Sequence, residues 1–294
     1  MNPPAARALR VSATGPLCTV QDLGRPGWFH AGVGVSGAAD RRSLTLANRL
    51  LANDENAAAV ECLLGGLVVE ARGTVLFAVT GAPCPVDVDS TPVAHSSVVV
   101  AQPGQRIRIG VADAGLRCYL AVRGGLDVPA VLGSRSRDTL AGIGPAPLQP
   151  GDLLAVGPPP SGWPRIGAAP VAPIGNDPLT VRIVFGPRDD WFTEPEVLCT
   201  ATWTVSPDSD RIGVRLHRPS GAPTLRRART GELPTEGMAL GAVQVPPSGQ
   251  PVVFLADHPI TGGYPVVATV VHDDVALLAQ ARPGREVRFR PVAR

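Results

Sequence analysis

The chain has 294 residues and a formal net charge of +2, from 27 basic and 25 acidic residues. This balance gives no electrostatic reason to expect nucleic acid or an anionic membrane as a partner. Every basic residue is an arginine. The absence of lysine excludes a Schiff base, a Ser-Lys amidase site and a GxxxxGK[ST] phosphate loop within this chain.

The five cysteines are widely spaced and show no CxxC spacing. This pattern predicts reduced, mostly buried thiols and no structural zinc site. The residues from Met1 to Ala13 lack the apolar run of a signal peptide, and no 18-residue apolar stretch follows. We therefore expect a cytoplasmic protein without a membrane partner, and we expect neither a bound metal nor a covalent cofactor.

Short β-branched runs recur along the chain, and Gly and Pro number 33 and 32, together roughly twice their average usage. Two segments, 106–109 and 287–290, alternate strictly between polar and apolar residues, which is typical of half-buried strands. A Pro-Gly pair precedes a strand-like run three times, at Pro103, Pro150 and Pro283. Because that pair favours a type II turn, the sequence predicts a mostly β fold of short strands.

Helical signals are few. Asp40 can cap a helix in which Leu44 and Leu50 fall on one face. A second short helix is predicted late in the chain, capped by Asp273 or Asp274. We expect fewer than one residue in four to be helical, in two small β-barrels that each carry a helix.

The segment 157–178 contains seven prolines and four glycines in 22 positions. Such a stretch can hold neither a helix nor a central strand. We place the domain boundary there. The prediction is an N-terminal β-barrel subdomain at 1–160, a Pro/Gly-rich linker at 161–178 and a C-terminal β-barrel subdomain at 179–294.

Candidate functional residues occur in clusters of glycine with acid, amide or arginine. In the first cluster, 21–27, glycines let the backbone approach a ligand beside Asp22 and Arg25, or these two residues pair with each other in a turn. The second cluster runs from Ser36 to Asp40. Its N–H groups can bind an anion, or Asp40 simply caps the helix.

The third cluster joins Arg123 to the Ser- and Arg-rich segment 133–138. It suits a carboxylate or phosphate, or it forms a solvated loop. In the fourth cluster, Arg211 and Arg215 are an even number of residues apart, so on a strand both point to one face. They can clamp an anion there, or pair with Asp210 and a neighbouring carboxylate.

The fifth cluster is the richest, because it gathers carboxylates, amides, hydroxyls and a Gly-Gly pair. Its members are Glu236, Gln244, Asp257, Thr261, Gly262, Gly263 and Tyr264. The Gly-Gly pair indicates close approach of the backbone to a ligand, or a plain hairpin turn. Adjacent residues of an extended chain point to opposite faces, so Asp257 and His258 make a poor catalytic dyad.

Taken in order, these clusters resemble the family of the 5-oxoprolinase C subunit, also called allophanate hydrolase subunit 2. The matching segments run from Gly15 to Phe289 and include QDLGR, SGAAD, RGG, GSRS, SDRIGVRL, TEG, GAVQVPPSGQP, TGGYP and AQARPG. The resemblance implies cyclophilin-like β-barrels. It also implies two partners, a smaller B subunit (allophanate hydrolase subunit 1-like) and a separate third subunit of type A. With them the chain opens the ring of 5-oxo-L-proline to L-glutamate at the expense of ATP.

The resemblance implies an activated lactam as the small-molecule substrate, which calls for anion clamps and oxyanion stabilisation. The candidate catalytic residues are Asp257, Glu236 and Tyr264. The candidate substrate- and anion-binding residues are Arg211, Arg215, Gln244, Thr261, Gly262, Gly263, Asp22, Arg25 and Arg123. We expect ATP to act at the level of the complex and the chain to be inactive alone.

Two other functions remain open. One is a regulatory antagonist that sequesters a kinase-inhibitor partner subunit. The other is a carboxyltransferase subunit of a biotin-dependent system similar to urea carboxylase. Because the chain has no lysine, any biotin would arrive on another protein.

Overall fold

The computed structural model describes residues 7–172, 174–219, 221–229 and 231–293. These residues form two compact units. Unit 1 holds the described residues of Met1–Arg25, Ser36–Asp138 and Gly142–Gly175. Unit 2 holds those of Pro26–Val35, Thr139–Ala141 and Asn176–Arg294, so two short segments from the first half of the chain belong to unit 2.

Unit 1 consists of antiparallel strands and one α-helix. In chain order its elements are β1 (Ala8–Ala13), β2 (Leu17–Gln21), α1 (Arg41–Leu50), β3 (Ala59–Leu63), β4 (Val68–Arg72), β5 (Val75–Gly81), β6 (Val86–Val88), β7 (Thr91–Val93), β8 (Val99–Ala101), β9 (Arg106–Ile109), β10 (Arg117–Val122) and β11 (Leu153–Ala155). The strands form two sheets, in the orders β11-β1-β4-β9-β6-β7 and β2-β3-β10-β5-β8.

The two sheets of unit 1 share one apolar core, to which Leu9 of β1 and Phe77 of β5 contribute. α1 covers the other face of the second sheet, where Leu44 packs with Tyr119 and Ala121 of β10. Successive side chains of a strand point to opposite faces, and apolar groups cover both faces of β10. For this reason every residue of β10 is buried.

The predicted helix after Asp40 is confirmed. Asp40 caps α1, because its Oδ1 accepts a hydrogen bond from the backbone N of Ser43 over 3.1 Å. Leu44, Ala47 and Leu50 are buried along one face, as their spacing predicts.

Unit 2 contains a closed barrel of seven strands, in the order β12-β19-β16-β17-β14-β13-β20. Its elements are β12 (Leu179–Phe185), α2 (Val197–Thr200), β13 (Trp203–Val205), β14 (Gly213–His217), β15 (Glu236–Gly237), β16 (Ala242–Gln244), β17 (Val252–Phe254), β18 (Thr261–Gly262), β19 (Val266–Val270), α3 (His272–Ala279) and β20 (Glu286–Pro291). Two 3-10 turns add Phe29–Ala31 and Asp189–Trp191. β12 pairs with β20 in parallel, which closes the barrel. β15 and β18 form a separate two-stranded sheet.

The mostly β class is confirmed, and the described helices hold far fewer than one residue in four. Unit 2 forms a closed barrel, whereas the strands of unit 1 form two facing sheets. The predicted alternation is confirmed in β9 and β20, whose apolar residues are buried and whose arginines are exposed. All three Pro-Gly pairs form turns immediately before a strand. The φ angle is +85° at Gly104 and at Gly284, as the second central position of a type II turn requires.

α3 confirms the second predicted helix, but its predicted cap is wrong. The cap position is Val271, and no side chain caps the helix. Asp274 instead accepts hydrogen bonds from the backbone N and Nε of Arg182, over 2.7 and 2.9 Å. None of the described helices is long and apolar enough to cross a membrane.

The Pro/Gly-rich segment contains no helix or strand in its described residues, 157–172 and 174–178. Backbone hydrogen bonds attach it to unit 1. Val98 N donates to Gly167 O over 2.7 Å, and Ala169 N donates to Ser96 O over 2.9 Å. The part of the predicted linker up to Gly175 therefore lies along unit 1.

Candidate functional site

The fifth sequence cluster gathers around a two-stranded ribbon in unit 2. β15 and β18 pair antiparallel, so that Glu236 lies opposite Gly262 and Gly237 lies opposite Thr261. We call these four residues the ribbon. The chain thus brings the Thr-Glu-Gly motif and the Thr-Gly-Gly motif, which are separate in sequence, into one short hydrogen-bonded element.

Gln244 lies buried under the ribbon, at the end of β16. Its Nε2 donates to Tyr264 O over 3.2 Å and contacts Met238 Sδ at 3.6 Å. A Cβ at Gly262 would lie only 2.7 Å from that Nε2. The glycine therefore permits a close approach, but the group it approaches is the amide of Gln244, whereas the sequence predicted the approach of a ligand.

The residues after Gly262 face solvent. Thr261 and Gly263 are exposed, and Tyr264 is 45% exposed. The guanidinium of Arg227 lies over the Tyr264 ring, 5.5 Å from its centroid. Tyr264 is therefore a surface residue and not part of the barrel core.

Glu236 forms an ion pair with Arg188. Arg188 Nε donates to Oε1 over 2.9 Å and to Oε2 over 3.2 Å, and Nη2 also donates to Oε1. These hydrogen bonds raise the pKa of Arg188. The pair fixes the carboxylate at the edge of the ribbon. Sequence analysis missed Arg188, although Gly186 and two aspartates, Asp189 and Asp190, stand next to it in the chain.

Asp257 and Arg211 form an enclosed pair instead of lining an open surface. Arg211 Nε and Nη2 donate to Asp257 Oδ2 and Oδ1 over 2.9 and 3.1 Å. Thr139, another residue of unit 2, donates to Oδ2 from its backbone N over 2.9 Å and from its Oγ1 over 2.7 Å. The side chains of Arg211 and Asp257 are 3% and 0% exposed. Both carboxylate oxygens already accept hydrogen bonds from protein donors.

Arg211 and Arg215 do not share a face, which corrects the expectation from their spacing. β14 begins at Gly213, so the alternation of a strand does not extend back to Arg211. Arg211 is buried, whereas Arg215 is exposed. The structure does not bring these two guanidiniums together as a clamp.

In unit 1, Asp22 joins the first cluster to the third. Its Oδ1 accepts hydrogen bonds from Gly24 N over 2.8 Å, from Ser134 Oγ over 2.6 Å and from Ser136 Oγ. Its Oδ2 accepts one from Arg135 N over 2.6 Å. Asp22 is only 3% exposed. The two serine hydroxyls therefore face a carboxylate of the protein itself.

Arg25 is bound to the same loop. Its Nη2 donates to Ser136 O, and its Nε lies 3.5 Å from Val131 O. The second cluster packs against this segment, because a Cβ at Gly37 would lie 2.8 Å from Gly24 N. The first two clusters thus meet segment 133–138 of the third cluster in one buried region of unit 1, whereas the hydrogen bonds of Arg123 are made elsewhere, which corrects its grouping with that segment.

Arg123 anchors the Pro/Gly-rich segment. Its Nη1 donates to Leu51 O over 2.7 Å, and its Nη2 donates to Pro160 O and Gly162 O, each over 2.6 Å. The guanidinium also lies 4.9 Å from the ring centroid of Trp163. Arg123 therefore connects the end of α1 to the segment beyond β11.

Sequence analysis missed a buried polar group under α1. Tyr119 Oη donates to Glu61 Oε2 over 2.7 Å and accepts from Asp40 N over 2.8 Å. Ala39 N donates to the same Glu61 oxygen over 2.9 Å. Burial, with a smaller effect of the Glu61 and Asp40 carboxylates, raises the pKa of Tyr119 well above its usual value. The second cluster is fixed as a helix entrance by these contacts.

Four of the five cysteines are buried, as predicted, and none of the five is in a disulfide in the structure. Cys62 lies opposite Cys18 on one neighbouring strand and opposite Cys118 on the other. Within the described ranges, no three His, Cys, Asp or Glu side chains converge as a metal site.

The chain is similar to several known proteins. The family model for the carboxyltransferase domain, subdomain A and B, matches residues 31–291. The 5-oxoprolinase C subunit of Escherichia coli (strain K12) is 37% identical over 288 residues, which cover 96% of this chain and 90% of that protein. The crystal structure of TTHA0988 matches with a TM-score of 0.86 at 35% identity, over 99% of this chain and 57% of that one. The crystal structure of the K. lactis urea amidolyase matches with a TM-score of 0.91 at 28% identity, over 100% of this chain and 19% of that one. The chain thus spans nearly the whole E. coli protein but only part of the two longer chains.

Proposed function

The chain belongs to the family of the carboxyltransferase domain, subdomain A and B, and from this premise we propose that it is the C subunit of an ATP-dependent 5-oxoprolinase complex. The main support is the similarity to the E. coli 5-oxoprolinase C subunit, which extends over 96% of this chain and 90% of that protein. The complex would open the lactam ring of 5-oxo-L-proline to give L-glutamate. We place this activity in the cytoplasm.

The chemistry requires activation, because an unstrained amide reacts slowly with water. ATP phosphorylates the lactam oxygen and is released as ADP, which makes the carbonyl carbon electrophilic, and water then adds to that carbon. Breaking the C–N bond of this adduct leaves an acyl phosphate, and its hydrolysis gives inorganic phosphate and L-glutamate. The ring nitrogen must receive a proton to leave, and the oxygen that becomes negatively charged must be stabilised. The surface around the ribbon offers suitable groups: Glu236 and Tyr264 for proton transfer, and Gln244 with the N–H groups near Gly262 and Gly263 for holding the lactam.

The enclosed residues have a different role in this proposal. Asp257 and Arg211 support the loop that leads into β18, and Asp22, Arg25 and Arg123 stabilise unit 1. None of these residues is more than 4% exposed. We propose that they position other groups and do not themselves touch the substrate.

We assign ATP to the assembled complex. This chain has no lysine and no GxxxxGK[ST] loop, so it lacks the usual means of cradling a triphosphate. The proposal therefore includes two partners, the smaller B subunit (allophanate hydrolase subunit 1-like) and the third subunit of type A. It also states that this chain is inactive alone.

Reconstitution tests the proposal. ADP release and L-glutamate formation are measured with 5-oxo-L-proline for this chain alone, for each pair of subunits and for all three subunits. We expect lactam-dependent turnover only when all three are present. Turnover by this chain alone would contradict the requirement for all three subunits. No turnover by an assembled three-subunit complex would contradict the proposed 5-oxoprolinase function.

A second candidate function is carboxyl transfer from biotin. The match to the K. lactis urea amidolyase, with a TM-score of 0.91 over the whole of this chain, favours it. Biotin would have to be carried by another protein, since this chain has no lysine to bear it. Transfer of labelled bicarbonate to urea, in a mixture of this chain with a biotin carboxylase and a biotinylated carrier, distinguishes the two functions. We expect no transfer above the level seen without this chain.

A further inference from the structure

Four arginines, Arg188, Arg226, Arg227 and Arg229, lie on the segments beside the ribbon, and they differ in their counterions and exposure. Arg188 pairs with Glu236, and Arg229 pairs with Asp190. In the part of the chain that the structure describes, Arg227 forms no ion pair. Arg226 forms none either, but it is exposed to solvent, so Arg227 is the partly buried arginine of this group whose charge no carboxylate of the described residues compensates.

The position of Arg227 is nevertheless fixed. Its guanidinium lies over the ring of Tyr264, at 5.5 Å from the centroid, and its Nη2 donates to Val245 O over 3.2 Å. A ring face and a carbonyl oxygen orient the guanidinium plane without neutralising its charge. Its Nε is buried and has no hydrogen-bond partner among the described residues. An arginine held in this way is pre-organised to receive an acceptor.

Arg227 and Gln244 flank the same residue. Arg227 contacts the ring of Tyr264, and the Nε2 of Gln244 donates to the backbone O of Tyr264. Gln244 in turn lies directly under Gly262 of the ribbon. Arg227 therefore contacts the residue that Gln244 binds, and Gln244 contacts the ribbon. This arrangement suits a ligand with an anionic group close to an amide.

A partly buried cation without a counterion is unfavourable, and an anion that reaches it is bound correspondingly well. The planar guanidinium matches a carboxylate in geometry, because two parallel N–H groups can face two oxygens. Arg188 and Arg229 already use their charge with Glu236 and Asp190, and Arg226 is exposed to solvent, so Arg227 is the partly buried arginine of these segments that is left for a ligand among the described residues.

We propose that Arg227 binds the carboxylate of the substrate and so selects a lactam that bears an acid group beside its ring. This inference rests on the proposed function, since 5-oxo-L-proline is such a lactam. The ribbon and Gln244 then hold the amide portion, and Arg227 holds the acid portion. Arg227 is thus a specificity-determining residue and takes no part in proton transfer.

The test compares two substrates in the reconstituted three-subunit complex. One is 5-oxo-L-proline, and the other is 2-pyrrolidinone, the same lactam without the carboxylate. For R227Q we expect the KM for 5-oxo-L-proline to rise by about 10- to 100-fold, the loss typical of a charged hydrogen bond. We expect turnover of 2-pyrrolidinone to be slow in the wild type and unchanged in R227Q. R227K, which keeps the charge but loses the planar group, should give an intermediate KM.

R226Q is the matched control, because Arg226 is exposed and precedes Arg227 in the chain. We expect it to keep wild-type values for both substrates. Assembly of each variant complex is checked by gel filtration, and binding of 5-oxo-L-proline without ATP is measured by calorimetry.

Equal losses for both substrates in R227Q, or an unchanged KM for 5-oxo-L-proline, would overturn the role of Arg227 and leave the proposed function intact. A wild-type complex that neither binds nor turns over 5-oxo-L-proline would instead refute the proposed function, and the assignment of Arg227 with it.

Discussion

Arg211 holds both carboxylate oxygens of Asp257, through Nε at 2.9 Å and Nη2 at 3.1 Å, in a site where neither side chain exceeds 3% exposure. A pair in this environment contributes little net stability relative to apolar residues, but removing one partner leaves the other charge buried and unpaired. The pair therefore makes the loop before β18 sensitive to the loss of either charge.

Asp257→Asn is expected to lower the free energy of unfolding by about 3–5 kcal/mol, because Arg211 then keeps an uncompensated charge. Urea unfolding of the isolated chain measures the change. The control is Glu55→Gln, which removes the exposed pair of Glu55 with Arg49, whose side chains are 48% and 65% exposed. That control should cost less than about 1 kcal/mol. Equal effects of the two substitutions would show that the buried pair is not a stability determinant.

Gly262→Ala should separate activity from stability. Its Cβ would lie 2.7 Å from Gln244 Nε2, so the amide must move and lose its bond to Tyr264 O. Because this nitrogen ends a flexible side chain, we expect a stability loss of only about 1 kcal/mol, but a clear fall in 5-oxo-L-proline turnover by the complex. Gly237→Ala, on the paired strand, has no atom within 4 Å of the new Cβ and serves as the control. Wild-type turnover in Gly262→Ala would argue against a role for Gln244.

Asp22→Asn tests whether the first cluster is structural. The asparagine would place an NH2 group among N–H and O–H donors that now face Asp22 Oδ1 and Oδ2. We expect a loss of about 1–3 kcal/mol in the free energy of unfolding. Asp127→Asn is the control, since Asp127 is 57% exposed in its pair with Arg135. Normal stability with lost turnover in Asp22→Asn would return this residue to the list of ligand-binding candidates.

Tyr119 should make the fold sensitive to alkali. Burial raises the pKa of Tyr119 well above its usual value. A tyrosine in the unfolded chain ionises at a pH of about 10. The folded state thus holds the proton when the unfolded state releases it, so the free energy of unfolding falls as pH rises above about 10. Up to the pH of unfolding, the tyrosinate absorbance of the wild type should equal that of Tyr119→Phe, because Tyr119 keeps its proton in the folded state. An additional tyrosinate signal from the folded wild type would contradict this expectation.

The sequence predicted local features well because their causes are local. The alternation in β9 and β20, the turns at Gly104 and Gly284 and the cap at Asp40 depend on residues within a few positions of one another. The family resemblance could also be recognised from the sequence, because its motifs are short and occur in a fixed order.

The pairing of charges could not be predicted, because it depends on positions far apart in the chain. Arg211 meets Asp257 across 46 positions, and Arg188 meets Glu236 across 48. The spacing of Arg211 and Arg215 predicted that both side chains point to one face of a strand. β14 starts only at Gly213, so Arg211 lies outside the strand. Arg227 carried no signal at all, because what distinguishes it is partial burial without a counterion among the described residues of the folded chain.

The ribbon should open locally more easily than the barrel. Its four residues, Glu236, Gly237, Thr261 and Gly262, include no apolar side chain, and each strand is two residues long. It can therefore separate from Gln244 without disrupting the barrel, and such local openings occur more often than global unfolding. In hydrogen exchange, the amides of the ribbon should lose protection long before those of β16 and β19. Breaking the pair with Arg188 should accelerate exchange at the ribbon while the barrel amides keep their rates.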